Sequence, residues 1–158
     1  MTTPTSFDER AFRDALGRFA TGVTIVTCNG PDGPMGITAN SFASLSLDPP
    51  LVLWSPAKSS RRYEAFMNAT EFAIHVASFE QLDLCRDFAK SAEGSSDTDW
   101  KQAATGCPYL EGGVARFMCK QHATFDGGDH TIIVGKVVDF QAQKGAPLIY
   151  CKGKYISD

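Results

Sequence analysis

A chain of 158 residues with 43% hydrophobic residues has enough apolar side chains for a substantial core, and we expect a single domain over residues 1–158. The net charge of −3 argues against the basic surface that binds nucleic acid or an anionic membrane. The five cysteines include no Cys-x-x-Cys pair, and no apolar run approaches the roughly 20 residues of a membrane span, so we expect a cytoplasmic protein with free thiols.

The first predicted element is an amphipathic helix over residues 6–20. Ser6 and Glu9 have the spacing of a capping box, and Phe12 and Leu16 share one face of the helix. The segment carries acidic residues and has no apolar core, which argues against a secretory signal.

Most of the remaining chain consists of short runs with the composition or alternation of β-strands, separated by turn residues. Strands are predicted at residues 23–28, from Met35 onwards, on both sides of Pro49–Pro50, and at residues 71–77, 113–125, 131–140 and 148–156. Short helices are predicted at residues 61–69 and 79–90. Many strands with few helices and no regular strand–helix alternation favour a mainly β fold, an antiparallel β-barrel with flanking helices.

Four small polar residues lie close together in the strand that begins at Met35, namely Thr38, Asn40, Ser41 and Ser44. Alternation along a strand confines polar side chains to one face, whereas these residues occupy both faces. Small residues let a ligand approach the backbone, and their hydroxyl and amide groups form hydrogen bonds. The run therefore favours a binding site, and the alternative is an exposed polar strand face.

The polar loop at residues 55–60 is followed by Arg61 and Arg62, a combination suited to binding a phosphate group. If a serine caps the helix that follows, both arginines lie in its first turn, where a cation is unfavourable unless an anion binds there. The alternative is that both arginines point into solvent, where Glu64 compensates their charge.

Motifs for several other kinds of site are absent from the sequence. There is no Gly-x-Gly-x-x-Gly, no Walker loop and no Gly-x-Ser-x-Gly. His75, His122 and His130 lack the spacing of metal ligands, so no metal is expected, and we interpret the first two as structural. This pattern is typical of a protein whose chemistry is carried out by a bound organic cofactor.

Five segments together resemble the flavin-reductase-like family, which consists of small FMN-binding split barrels. They are Gly36–Phe42 (GITANSF), Ser46–Val52 (SLDPPLV), Gly128–His130 before a Thr-x-x-x-Gly-x-Val strand, Pro147–Tyr150 (PLIY) and Gly153–Tyr155 (GKY). The resemblance implies a Greek-key-like antiparallel barrel that forms a homodimer and acts as an NAD(P)H:flavin oxidoreductase. It also implies a separate oxygenase component that receives the reduced flavin.

The resemblance also implies the positions of the ligands. Flavin-binding positions are Gly36, Ile37, Thr38, Ala39, Asn40 and Ser41, with the phosphate at Ser55, Pro56, Ala57, Ser60, Arg61 and Arg62. Phe88 is expected near the flavin, beside the adenine if the flavin is FAD. The nicotinamide dinucleotide is expected at His130, Lys152, Gly153, Lys154 and Tyr155.

His130 is the residue expected to contribute to catalysis, by orienting the hydride donor and stabilising the charge of the reduced flavin. The alternative is that it is a turn residue. Our leading hypothesis is the reduction of FMN or FAD by NADH or NADPH, and the sequence leaves the choice of flavin and of nicotinamide open. Two other hypotheses are a flavin-binding module without turnover and an FMN oxidase that acts on a small organic substrate.

Overall fold

The computed structural model describes residues 6–156, which form three short helices and twelve β-strands. The helices are α1 (Glu9–Leu16), α2 (Tyr63–Asn68) and α3 (Leu82–Lys90), and a 3-10 turn at Phe79–Gln81 precedes α3. The strands are β1 (Thr21–Gly22), β2 (Thr24–Gly30), β3 (Gly33–Ala39), β4 (Ala43–Leu47), β5 (Pro50–Trp54), β6 (Glu71–Val76), β7 (Lys101–Gln102), β8 (Pro108–Tyr109), β9 (Ala115–Gly127), β10 (His130–Ala142), β11 (Ile149–Cys151) and β12 (Lys154–Ile156).

Seven strands form one antiparallel sheet in the order β3-β2-β6-β9-β10-β5-β4. β3 and β4 are the two edges of this sheet, although only residues 40–42 separate them in the chain. Four peptide steps from Ala39 to Ala43 span at most about 14 Å, so the sheet must curl until its edges approach each other. Within the described residues the two edges do not pair, which leaves a gap that we call the barrel seam. The predicted antiparallel barrel with flanking helices is confirmed.

The barrel interior is packed with large apolar side chains. Trp54, Phe66 and Phe72 are buried there, and the ring centroid of Trp54 lies 4.9 Å from that of Phe66 and 6.4 Å from that of Phe72. β2 is buried on both faces, since Val26 belongs to this core while Ile25 belongs to a second core that includes residues of α3. Alternate residues of one strand thus join two cores, and this arrangement holds α3 against the outside of the barrel.

Helix α1 differs from its prediction at its start and in its burial. Its N-cap is Asp8, whose Oδ1 accepts hydrogen bonds from the backbone N–H groups two and three residues further on, at 3.0 and 3.2 Å. The predicted capping box of Ser6 and Glu9 is therefore wrong. The apolar face is also not buried in the chain, because Phe12 and Leu16 are 48% and 58% exposed. The amphipathic pattern identified the helix correctly, but its apolar face is directed away from the barrel cores.

The segment predicted as one last strand is a hairpin. β11 and β12 pair on either side of Lys152 and Gly153, whose φ angles are +52° and +74°. Two consecutive residues with positive φ are typical of a type I′ turn, in which glycine and asparagine are the usual residues. The prediction of a single strand is wrong because a lysine in the first of these positions does not signal a turn.

His75 lies in β6 and is completely buried between two backbone groups. Its Nδ1 is 2.8 Å from the carbonyl oxygen of Ile25, and its Nε2 accepts a hydrogen bond from the N–H of Leu110 at 3.0 Å. The ring is therefore neutral, with the proton on Nδ1. The pKa of His75 is lowered from 6.5 to about 4, mainly because the ring is buried. The bond to Ile25 opposes this shift, and the nearby positive charge of Arg116 adds to it. This geometry agrees with the structural role expected for His75.

We expect the buried ring of His75 to make the folded protein sensitive to acid. Its pKa is lower in the folded state than in the unfolded state, so its contribution to stability is complete above pH 6.5 and is lost as the pH falls towards about 4. The largest loss from this one group is about 3 kcal/mol. Urea unfolding at a series of pH values should show a smaller acid-dependent loss for His75→Gln than for the wild type. His122→Gln is the matched control, and an unchanged slope in His75→Gln would contradict the assignment.

Candidate active site

The connection between β3 and β4 lies at the barrel seam and is hydrogen-bonded to the loop that follows β5. The Oγ of Ser41 accepts a hydrogen bond from the N–H of Ser55 at 2.9 Å and lies 3.4 Å from the carbonyl oxygen of Ser55. This contact brings together the two segments that were expected to bind the flavin ring and its phosphate. Because the Ser41 hydroxyl is bonded to the backbone of Ser55, it holds the backbone of residues 40–42 in place.

The hydroxyl group of Thr38 is also used within the protein. It donates a hydrogen bond to the carbonyl oxygen of Cys85 at 2.5 Å, and this bond ties β3 to α3. The hydroxyl of Thr24 donates to the carbonyl oxygen of Ala39 at 2.7 Å. The side chain of Asn40, at the end of this run, is exposed. Part of the polar pattern in β3 therefore positions the strand, and Asn40 remains accessible to a ligand.

The loop at residues 55–60 packs against the turn between β9 and β10. The N–H of Thr131 donates to the carbonyl oxygen of Pro56 at 3.1 Å, and the N–H of Lys58 donates to that of Asp129 at 2.9 Å. The hydroxyl groups of Tyr63 and Thr131 lie 2.6 Å apart. These bonds place His130 beside the loop expected to bind phosphate, although more than 65 residues separate Tyr63 from this turn.

The ring of His130 is oriented by the residue that precedes it. Its Nδ1 is 2.8 Å from Oδ1 of Asp129, and because a carboxylate can only accept, this nitrogen carries the proton. The hydrogen bond from His130 is the largest cause of the lowered pKa of Asp129. The charge of His130 and, more weakly, that of Arg13 lower this pKa as well. The side chain of His130 is 46% exposed. Its Nε2 therefore remains available to a ligand at the surface, and Asp129 is an orienting residue that the sequence reasoning missed.

The side chain of Arg62 forms hydrogen bonds within the protein, whereas the sequence predicted a contact with the flavin phosphate. Its guanidinium donates hydrogen bonds to the carbonyl oxygens of Gly36, at 3.1 Å, and of Phe88. Burial lowers its pKa, and the charge of Glu93 partly opposes this shift. Arg62 thus joins β3 to the end of α3. Both bonds come from one nitrogen of the guanidinium, Nη1, which therefore has a structural role. The expectation that Arg62 also binds the flavin phosphate stays a prediction.

The start of α2 also corrects the expected geometry of the two arginines. Arg62 is itself the N-cap of α2, and no side chain caps the helix. The Oγ of Ser60 accepts a hydrogen bond from the N–H of Arg62 at 3.1 Å, one residue before the helix begins. The two arginines therefore do not lie in the first helical turn. Arg61 is exposed and has no ion pair within residues 6–156, so it is the arginine that is accessible to an anion.

Gly36 and Phe88 pack against each other inside the protein. A Cβ atom at Gly36 would lie 2.7 Å from the Phe88 ring, so only glycine fits at this position. The N–H of Gly36 donates to the carbonyl oxygen of Ala92 at 2.8 Å, and Phe88 is completely buried beside Trp100. The glycine thus makes room for a protein side chain. The expected contacts of Gly36 and Phe88 with a flavin are not supported by this arrangement.

The remaining expected residues lie at or near the surface. Ile37, Thr38, Ala39, Ser41, Ser55, Ala57, Ser60 and Tyr155 are partly exposed; Asn40, Arg61, His130, Lys152, Gly153 and Lys154 are exposed; Pro56 is buried. A cleft of about 190 Å³ brings Thr38, Ala39 and Asn40 together with Tyr155 and Tyr150. The rings of these two tyrosines are 5.2 Å apart and inclined at 61°. Tyr150, a residue of the PLIY segment, is an additional residue of this cleft that the sequence pattern does not indicate.

Other kinds of reactive centre find no support in the part of the chain that the structure describes. Burial raises the pKa of Cys28, Cys85, Cys107 and Cys119 to about 12, so their thiols are not activated. Within residues 6–156 no three His, Cys, Asp or Glu side chains are grouped so that they could hold a metal ion. None of the helices described is both long and apolar enough to cross a membrane.

The sequence matches the family described as flavin reductase like domain over residues 16–157. The chain belongs to the flavin reductase family. The FMN reductase (NADH) SmoA of Agrobacterium fabrum is 51% identical over 152 residues, which cover 96% of this chain and 87% of SmoA. A second relative is the reductase component of the flavin-dependent trigonelline monooxygenase of Acinetobacter baylyi, which is 43% identical over 150 residues. These residues cover 94% of the present chain and 48% of the relative.

The solved structures agree with the fold of this reductase. The NADH:FAD oxidoreductase SgcE6 of Streptomyces globisporus C-1027, in complex with NAD and FAD fragments, has a TM-score of 0.87 and 35% sequence identity. The match covers 94% of this chain and 92% of that chain. The family and the oxidoreductase class that the resemblance implied are thus confirmed. The positions of individual ligand-binding residues stay predictions.

We expect the two adjacent arginines to have separate roles. Arg62→Ala removes charged hydrogen bonds to two backbone carbonyls and should lower the free energy of unfolding by about 1.5–3 kcal/mol. Arg61→Ala is the matched control, and because Arg61 is exposed its effect should stay within about 0.5 kcal/mol. Urea unfolding of both variants measures the difference. Equal stability of the two variants would show that Arg62 is not a structural residue.

Proposed function

We propose that this reductase transfers a hydride from NADH to FMN and releases the reduced flavin to a separate oxygenase component. The main support is the meeting of three segments at the barrel seam. The Ser41 hydroxyl accepts a hydrogen bond from the loop at 55–60, and backbone hydrogen bonds join this loop to the turn that carries His130. The choice of NADH and FMN follows SmoA, and the oxygenase follows the trigonelline monooxygenase component, since both relatives are similar over nearly all of this chain.

The flavin phosphate would bind at the loop of residues 55–61. Arg61 is exposed, and Ser55 and Ala57 are partly exposed at the same loop. The hydrogen bonds to Ser41 and to the β9–β10 turn hold the loop in one conformation, which lowers the entropy lost when a ligand binds. Asn40 lies on the neighbouring segment, where its amide could bond to the polar edge of the flavin ring.

When bound, the reduced nicotinamide supplies the hydride and the flavin accepts it, so the protein has to hold two planar rings in register. His130 is suited to this task, because Asp129 fixes its tautomer and orientation. Its Nε2 would act as a hydrogen-bonding group towards the ligand edge. Tyr150 and Tyr155 offer aromatic surface beside Thr38 and Ala39 for one of the rings.

The first test is the oxidation of NADH and of NADPH with FMN, FAD or no added flavin, followed by the loss of the reduced nicotinamide absorbance. We expect turnover that requires added flavin and is highest with NADH and FMN. Flavin binding without nicotinamide oxidation would favour the flavin-binding module. Oxygen consumption with a small organic substrate and no nicotinamide would favour the FMN oxidase.

His130→Ala in the same assay tests the role of this residue. Loss of one hydrogen bond to the bound donor should lower kcat/KM for NADH by about tenfold, while the Kd for FMN stays nearly unchanged. His122→Ala, an exposed substitution on β9, is the control. Weaker FMN binding with normal NADH oxidation would mean that His130 contacts the flavin instead.

We further propose that the reductase is a homodimer, as the resemblance implied. An exposed apolar patch supports this proposal, since Leu47 is 97% exposed, Val138 54% and Phe140 69%. The pairing of Leu47 with Pro50 and of Leu51 with Lys136 places this end of β4 close to the β10 segment that carries Val138. Exposed large apolar side chains near one another are typical of protein–protein interfaces.

The free, mostly buried thiols support a further proposal, that the protein works in a reducing compartment such as the cytoplasm.

Sedimentation at micromolar concentration should show a dimer for the wild type. Leu47→Lys combined with Val138→Lys places charge in the apolar patch and should shift the protein towards the monomer. A charge pair placed elsewhere on the surface, Asp32→Lys with Glu80→Lys, should leave the dimer intact. A monomeric wild type that still binds flavin would contradict the proposed assembly.

A further inference from the structure

An ion pair joins the loop at residues 55–60 to the hairpin formed by β9 and β10. The Nζ of Lys58 donates a hydrogen bond to Oδ1 of Asp126, which lies one residue before the end of β9. Neither side chain was among the residues that the sequence predicted to bind a ligand. Lys58 nevertheless lies in the loop that would bind the flavin phosphate, so its charge bears directly on that site.

The backbone of this loop is held in place without the ion pair. The N–H of Lys58 donates to the carbonyl oxygen of Asp129 at 2.9 Å, and the N–H of Thr131 donates to that of Pro56 at 3.1 Å. The ammonium group of Lys58 stands at the end of a flexible four-carbon stem. The side chain can therefore leave Asp126 and turn to another anion while the loop keeps its conformation.

Both partners of the ion pair are charged and lie at the surface. Their hydrogen bond is the largest cause of the raised pKa of Lys58 and of the lowered pKa of Asp126. The two side chains are 41% and 78% exposed, and an ion pair with this exposure is screened by water and only weakly stabilising. A phosphate monoester carries almost two negative charges at pH 7, whereas a carboxylate carries one. Such a phosphate can therefore displace Asp126 from Lys58.

The two exposed cations of the loop region differ in their partners. Arg61 forms no ion pair within residues 6–156, whereas Lys58 is paired with a carboxylate of the protein itself. A phosphate that uses Lys58 has to break this pair first, and that requirement lowers its apparent affinity. The alternative role of the pair is to fasten the loop to the hairpin, but the backbone hydrogen bonds already do so.

We propose that Asp126 competes with the flavin phosphate for the ammonium group of Lys58, and that this competition lowers the affinity of the reductase for FMN. This proposal rests on the function proposed above, because it concerns the loop that would bind the phosphate. When the flavin departs, Asp126 recaptures Lys58, so the lost phosphate contact is replaced within the protein. Asp126 thereby favours the release of the reduced flavin to the oxygenase.

The test measures the Kd of FMN, and of riboflavin as the same ring system without a phosphate, by calorimetric titration at low salt. Asp126→Asn leaves Lys58 unpaired and should tighten FMN binding by about threefold, the size expected for one exposed ion pair. Riboflavin binding should not change, because riboflavin has no group that competes for the lysine. Asp32→Asn, in the exposed turn between β2 and β3, removes the same charge elsewhere and is the matched control.

The lysine variant shows whether the effect of Asp126 depends on Lys58. Lys58→Gln should weaken FMN binding by about threefold or more, again with riboflavin binding unchanged. In the double variant Lys58→Gln with Asp126→Asn, the second substitution should have no further effect on the Kd of FMN, because no ammonium group remains for which the two anions compete.

Weaker or unchanged FMN binding in Asp126→Asn would overturn the proposal, and weaker binding would show that the ion pair only fastens the loop. Equal tightening with and without Lys58 would also overturn it, since Asp126 would then act by direct repulsion of the phosphate. The titration contains no nicotinamide and does not depend on turnover. A wild type that binds FMN and shows the expected responses but does not oxidise NADH would overturn only the proposed function.

Discussion

The short connection between the two edge strands is the constraint on which the rest of the structure depends. β3 and β4 lie at opposite edges of a seven-stranded sheet, yet only residues 40–42 separate them. The sheet therefore has to curl into a barrel, and the connection necessarily lies at the seam. The hydrogen bonds between Ser41 and Ser55 cross this region and fix the loop after β5. The β9–β10 turn then packs on that loop, so the candidate site follows from the closure of the sheet.

Several polar groups that look suited to ligands serve instead to hold the elements around the site. Arg62 joins β3 to α3 through two carbonyl groups, and Thr38 makes a second connection between the same elements. Gly36 allows the Phe88 ring to pack closely in this junction. Asn40, Arg61 and His130 are exposed, and they are the groups that we propose as ligand contacts. The site is thus an exposed layer supported by a buried one, and the two layers alternate along the same short segments of chain.

Much of the fold could be predicted from the sequence, because alternation and turn residues are local signals. The strands of the main sheet lie close to their predicted positions, and the helix predicted at residues 79–90 is a 3-10 turn followed by α3. The partners of Arg62 could not be predicted, since both carbonyls are 26 residues away and carry no side-chain signal. The turn at Lys152 was missed because its first residue is not a usual turn residue.

For the flavin position that we propose, the filled barrel interior has a consequence for how the flavin would exchange. Trp54, Phe66 and Phe72 occupy the centre of the barrel, so a flavin cannot enter it and would lie on the outside, along the seam. Departure of the flavin would then break only contacts with surface loops and would leave the strand pairing and the core intact. Its residence time would depend on a few hydrogen bonds and one phosphate contact rather than on an opening motion of the barrel. Such a surface is suited to a diffusible product that passes from one protein to another.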